Sequence, residues 1–224
     1  MKGLLLKDFY VMRKTHKYLL IIIMIYAFAA LLGGGANIFW TFYVGMFAGM
    51  IPMTLYSFEE RDGWGVYALT LPNTRARIAV EKYVLLVCIT AAMTVLVGLV
   101  EAVRAVRTGD FSPESFVLIL VLAVSSLTLP SIITLPFMYW LGAERGRIAY
   151  CAVIVLMVCV FNGAFLSWGG DGEEKTAIFS PGVSMLFDAD GVKLELSMAI
   201  LAVLAVLFLI SLGVSVLIYK RREL

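Results

Sequence analysis

Six runs of apolar sequence, each about as long as a bilayer is thick, leave this chain few folds to choose from. They cover residues 18–36, 38–58, 83–100, 116–141, 148–168 and 196–219. A helix needs about 20 mostly apolar residues to cross the hydrocarbon layer. Within that layer backbone polar groups must be paired internally, so only helices and closed barrels can span it. Barrel strands alternate apolar with polar residues. These runs are continuous, which selects helices. Composition agrees: 62% of residues are hydrophobic and 15% charged, against about half and a quarter in soluble domains. The expected fold is an all-α polytopic membrane protein with six transmembrane helices, forming one domain over residues 1–224. No small-residue cleavage site closes the first run, and Gly33, Gly34 and Gly35 lead straight into the second. The first run therefore reads as a span and not as a cleaved leader.

Charge orients the bundle. With the N-terminus inside, the inner segments hold Lys2, Lys7, Arg13, Lys14, Lys17, Arg61, Arg75, Arg77, Lys82, Arg145, Arg147, Lys220, Arg221 and Arg222. Those are fourteen of the eighteen bases; Arg104, Arg107, Lys175 and Lys193 lie on the other side. Positive residues are retained in the cytosol, so both termini are expected there, in a membrane crossed several times.

In residues 1–17, Leu5, Phe9 and Met12 share one helical line, with Lys7 and Lys14 roughly opposite. This fits a helix lying in the cytosolic interface; Leu4, Asp8 and Val11 blur the pattern, and a plain basic tail is the simpler account. Pro52 interrupts the second run, and Pro130 and Pro136 the fourth. Each removes a backbone hydrogen bond and bends its helix, either as a fixed kink or as a gating point. Ser125, Ser126, Thr128, Ser131 and Thr134 surround the second pair and could satisfy freed carbonyls or line a polar route. Glu101 and Arg104 are spaced to pair on one face, at what reads as a solvated helix end. Residues 169–195 form the only long outer segment. The apolar stretch from Ile178 to Phe187 within it is too short to span, and is either a re-entrant piece or a packed loop.

Several chemistries are absent. There is no P-loop motif, no HExxH and no Cys/His cluster, so neither nucleotide nor metal binding is expected. The single histidine, His16, sits among Arg13, Lys14 and Lys17. No Ser or Cys nucleophile has a histidine in reach, so an enzyme is not expected. Cys88, Cys151 and Cys159 fall inside spans and read as small apolar fillers, not disulfide partners. No run carries an acid near its centre, which argues against an ion-coupled carrier. The remaining reading is a membrane domain that takes its energy from elsewhere.

Residues 59–82, EERDGWGVYALTLPNTRARIAVEK, are the natural place to receive that energy. They hold four acids, four bases and a Trp between two glycines. Trp and Arg are enriched at interface hot spots. A solvated inner loop with Trp64 and Tyr67 in the interface belt is the bland alternative. Asn73 or Thr74 could cap a following helix.

The opening LLLKDFY, the six runs, and F-x-x-x-x-G-W followed by LPNTRARIAVEKYV resemble ABC-2-type exporter permeases, in the short branch without a fused ATPase. The resemblance implies that Glu59, Glu60, Arg61, Asp62, Gly63 and Trp64 form a coupling helix that docks on the nucleotide-binding subunit. It implies that Leu71, Pro72, Arg75, Lys82 and Tyr83 support the start of the third span. Residues 1–17 would be the family's interfacial elbow helix, and residues 169–195 would hold its short extracytosolic re-entrant segment between helices 5 and 6. The implied partners are two ATPase subunits, which bind ATP and Mg2+, and a second permease copy. Small size and the missing outer domain resemble permeases that export phenol-soluble modulins, which are amphipathic peptides, or confer resistance to such peptides. A reading from another class is a membrane scaffold or immunity protein that binds a toxin without transport. A neighbouring reading frame for a P-loop ATPase would separate the two.

Overall fold

The computed structural model describes residues 38–64, 67, 75–109, 113–168 and 194–221, together with residues 7, 8, 10–12, 21 and 25. Expectations about the rest of 18–36, the glycine turn, His16, Leu71, Pro72, Asn73, Thr74 and most of 169–195 lie outside the described residues. Among the described residues there are five long helices and no strand: α1 (Ile38–Arg61), α2 (Arg75–Thr108), α3 (Pro113–Leu141), α4 (Ala143–Trp168) and α5 (Leu194–Arg221). Three of their segments, Arg77–Arg107, Phe116–Leu141 and Ser197–Tyr219, are long and apolar enough to cross a membrane.

The helices overrun the apolar runs at the charged end. α1 continues through Glu59, Glu60 and Arg61, because nothing breaks it before Gly63. There a φ of +67° lets the chain turn away, and the Asp62 amide closes on the Phe58 carbonyl at 2.9 Å. A left-handed residue after the last turn is the usual helix stop, and glycine takes it without strain. α2 runs unbroken from Arg75 into its apolar part, so residues 75–82 and the span form one rigid rod.

α3 is the centre of the bundle and packs against each of the other four helices. α1 is nearly as deep: between residues 41 and 59 only Phe47 and Met50 are exposed. Such burial on all sides marks a core helix. α5 instead turns Met198, Val203, Val206, Leu209, Ile210 and Leu217 outward, as a lipid-facing helix does.

The hydroxyls around the α3 prolines act differently from the sequence expectation. Ser125, Ser126, Thr128, Ser131 and Thr134 bond carbonyls of Leu122, Ala123, Val124, Leu127 and Pro130 in their own helix. The carbonyl that Pro136 strands is that of Ile132, four residues earlier. It is satisfied from another helix: Ser211 of α5 donates to it at 2.6 Å. Ser211 and Ser215 also lie 2.7 Å from the Tyr83 hydroxyl on α2. The carbonyl freed by Pro136 is thus tied to α5 and, through the Ser211 and Tyr83 hydroxyls, to α2. Ser211→Ala is expected to cost about 1–3 kcal/mol, the penalty of orphaning a buried acceptor. Thermal unfolding of the full chain in detergent checks this. Ser125→Ala, which loses only a 3.1 Å bond within its own helix, should shift the midpoint less; equal shifts would refute the tie.

Two further expectations change. Glu101 pairs with Arg104 at 2.6 Å, as its spacing predicts, but it is only 2% exposed and not solvated. The guanidinium compensates the buried carboxylate. Cys88, Cys151 and Cys159 are unpaired, as expected, but they lie exposed on the helix surfaces and fill no interior gap.

Candidate functional site

One end of the bundle gathers the charges. The last turn of α1, the first turns of α2, the α3–α4 turn and residues 7 and 8 meet there. Lys82 extends into the junction from α2. It is 1% exposed, and its ammonium donates to Asp8 Oδ2 at 2.7 Å and contacts Glu59 Oε2 at 2.9 Å. Lys7 closes the same pair from outside: it binds Glu59 Oε1 and stands 3.4 Å from Asp8 Oδ1. Its ammonium also sits 4.2 Å over the Trp64 ring, and Trp64 packs on Tyr67 at 5.2 Å. A buried charge is tolerable only when paired and hydrogen-bonded, and Asp8, Glu59 and Lys82 meet that condition mutually. Glu81, beside them, is 2% exposed. Neither of its carboxylate oxygens has a hydrogen-bond partner among the described residues.

Glu60 points the other way. It accepts a hydrogen bond from the Ala143 amide, the first residue of α4. A carboxylate there satisfies an orphan donor and meets the positive end of the helix dipole. Gly142 makes room: its φ is +86°, and a Cβ there would lie 3.3 Å from Glu60 Oε1. Arg147 of α4 reaches back to Ser57 Oγ at 3.1 Å. A cleft of about 840 Å³ opens beside these contacts, lined partly by Arg61, Glu144, Arg145 and Arg147.

The family profile described as ABC-2 family transporter protein matches residues 3–220. The chain belongs to the ABC-2 transporter family. No curated protein and no solved structure matches it. As an ABC-2 membrane protein it is a permease component of an ABC transporter, and membership implies an ATPase partner.

In this ABC-2 permease the six residues expected to dock divide into two groups. Arg61, Asp62 and Gly63 are exposed at the tip of α1. Glu59, Glu60 and Trp64 are engaged within the chain, by Lys82 and Lys7, by Ala143, and by Lys7 and Tyr67. Of the expected supports, Lys82 and Tyr83 are buried, and Arg75 opens α2. Pro52 and Pro130 are buried, while Pro136 is half-buried. Sequence reasoning missed Asp8, Lys7 and Glu81 as members of the site. Asp8 had one legible signal: an acid in an otherwise basic stretch needs a cation, and Lys82 at the mouth of an apolar run needs an anion.

Proposed function

We propose that this chain is the membrane subunit of an ATP-driven exporter of amphipathic peptides, of the kind phenol-soluble modulins represent. It has six spans with both termini cytosolic, and works as a homodimer with two ATPase subunits. ATP is bound and hydrolysed in those subunits, and the permease itself has no catalytic role. The observation that carries the reading is the mounting of the tip. Arg61, Asp62 and Gly63 stand exposed on a turn whose base is held by Lys82 and by the Ala143 amide. A push on that tip reaches α2 through Lys82 and α4 through Glu60. Closure of the ATPase pair would draw the two tips together and tilt the helices behind them.

An apolar groove of about 540 Å³ between α2, α3 and α5 supports the choice of substrate class. Leu86, Val87, Leu201, Leu204 and Phe208 line it with the Thr90 and Thr94 side chains. Its chemistry suits the apolar face of a helical peptide.

The test uses the tip alone, because Glu60 and Trp64 also hold the fold. Arg61→Glu and Asp62→Lys are expected to abolish stimulation of ATPase activity and peptide export in the co-purified complex. The unfolding midpoint of the permease should stay within the range of ordinary surface substitutions, about 0.5 kcal/mol. Full stimulation and export with both changes present would refute the docking role.

A further inference from the structure

With Glu81 ionised, the junction at Asp8, Glu59 and Glu81 carries more negative charge than its lysines neutralise. We infer that it is a binding site for a hard divalent cation of Ca2+ size, which enters from the side of Lys7. Carboxylate oxygens of the three residues lie within 4.8 Å of one another. Three acids near each other do not make a site. The second observation is Glu81, 2% exposed, with both oxygens lacking a hydrogen-bond partner among the described residues and one of them facing the other two carboxylates. A buried carboxylate in that condition is costly: burial pushes the Glu81 pKa up to about 7, and a proton or a cation relieves it.

The charge balance identifies the ligand. With all three ionised, the carboxylates against Lys82 leave two negative charges. Lys7 supplies one positive charge and sits off centre, bound to Glu59 and Asp8. A divalent ion in its place would balance the site. Lys7 is also the one that can leave: its side chain is 25% exposed, against 1% for Lys82. The donor set is oxygen only, which suits Ca2+, Mg2+ or Mn2+ and not softer metals. Ligand oxygens on opposite sides of Ca2+ stand about 4.6–5.2 Å apart, whereas Mg2+ draws them to about 4.2 Å. The three oxygens, all within 4.8 Å of one another, stand close enough to share an ion of Ca2+ size.

Trp64 provides the readout, because Lys7 holds its ring against the site. Tb3+, a Ca2+-sized luminescent probe, is titrated into the full chain in detergent micelles with excitation of tryptophan. Saturable emission is expected, displaced by Ca2+ at lower concentration than by Mg2+. Glu81→Gln should weaken binding at least about tenfold, since affinity follows ligand charge. Lys7→Ala, which removes the competing cation, should tighten it. Trp64→Phe should lose the emission yet keep the rise in unfolding temperature that Ca2+ gives. Emission or Ca2+ stabilisation that is equal in the parent chain and Glu81→Gln would overturn the site, as would Lys7→Ala without effect on affinity. None of these measurements needs the ATPase or a transport assay, so their outcome is independent of the exporter reading.

Discussion

Lys82→Ala is expected to destabilise the permease by about 3–5 kcal/mol, the range found when one partner of a buried ion pair is removed. The reason is specific to this junction. Lys82 is the only buried cation among the described residues that touches both Asp8 and Glu59. Without it, Asp8 and Glu81 are left at 1% and 2% exposure with Lys7 as their remaining neighbour in charge. Asp8 also holds the N-terminal segment against α2, so its loss of a partner loosens that contact as well. Thermal unfolding of the full chain in detergent measures the effect. Arg77→Ala, an exposed cation five residues earlier on α2, is the control and should move the midpoint little. The double change Lys82→Ala with Asp8→Ala should cost less than the sum of the two single changes, because the second removes the charge that the first left unpaired. Strict additivity, or a Lys82→Ala shift no larger than that of Arg77→Ala, would show that the junction does not hold the fold.

The helical class and the apolar segments were legible because hydropathy is local: each run announces its own burial in lipid. The site was legible only in part, because its partners are far apart in sequence. Lys82 and Asp8 are separated by 74 residues, and Glu60 and Ala143 by 83. Nothing in the stretch from Glu59 to Trp64 distinguishes Glu59 and Glu60, engaged by Lys82 and the Ala143 amide, from Arg61 and Asp62 at the tip. That division is set by where the first α4 amide and the Lys82 ammonium happen to lie. The prolines follow the same logic. Pro136 could be recognised as a break in α3, but its stranded carbonyl is met by Ser211, 79 residues away, and not by the hydroxyls beside it. Glu101 shows the converse. A pairing at i and i+3 is local and was foreseeable, while its burial depends on the neighbouring helices and was not.

Gly45→Val is expected to cost about 3 kcal/mol or more and to impair docking as a consequence. Gly45 and Gly49 form a G-x-x-x-G pair on α1, the spacing that lets two helices approach closely in a membrane. A Cβ at Gly45 would collide with the Ser126 hydroxyl and stand 3.0 Å from Ser126 Cβ. Rotating the hydroxyl relieves only the first contact, so α1 and α3 must separate. That separation would also break the bond from Ser131 to the Gly49 carbonyl, 3.2 Å, and shift the α1 tip that carries Arg61. Gly45→Ala should show a smaller loss in the same direction, measured by unfolding of the full chain. Ser126→Gly added to it should recover part of that loss, since the opposing Cβ is then gone. Gly213→Ala gives the contrast. It lies inside α5 with open space around a Cβ, so the better helix former should stabilise by about 0.5–1 kcal/mol. If Gly45→Ala and Gly213→Ala moved stability in the same direction, close packing of α1 on α3 would not be what Gly45 provides.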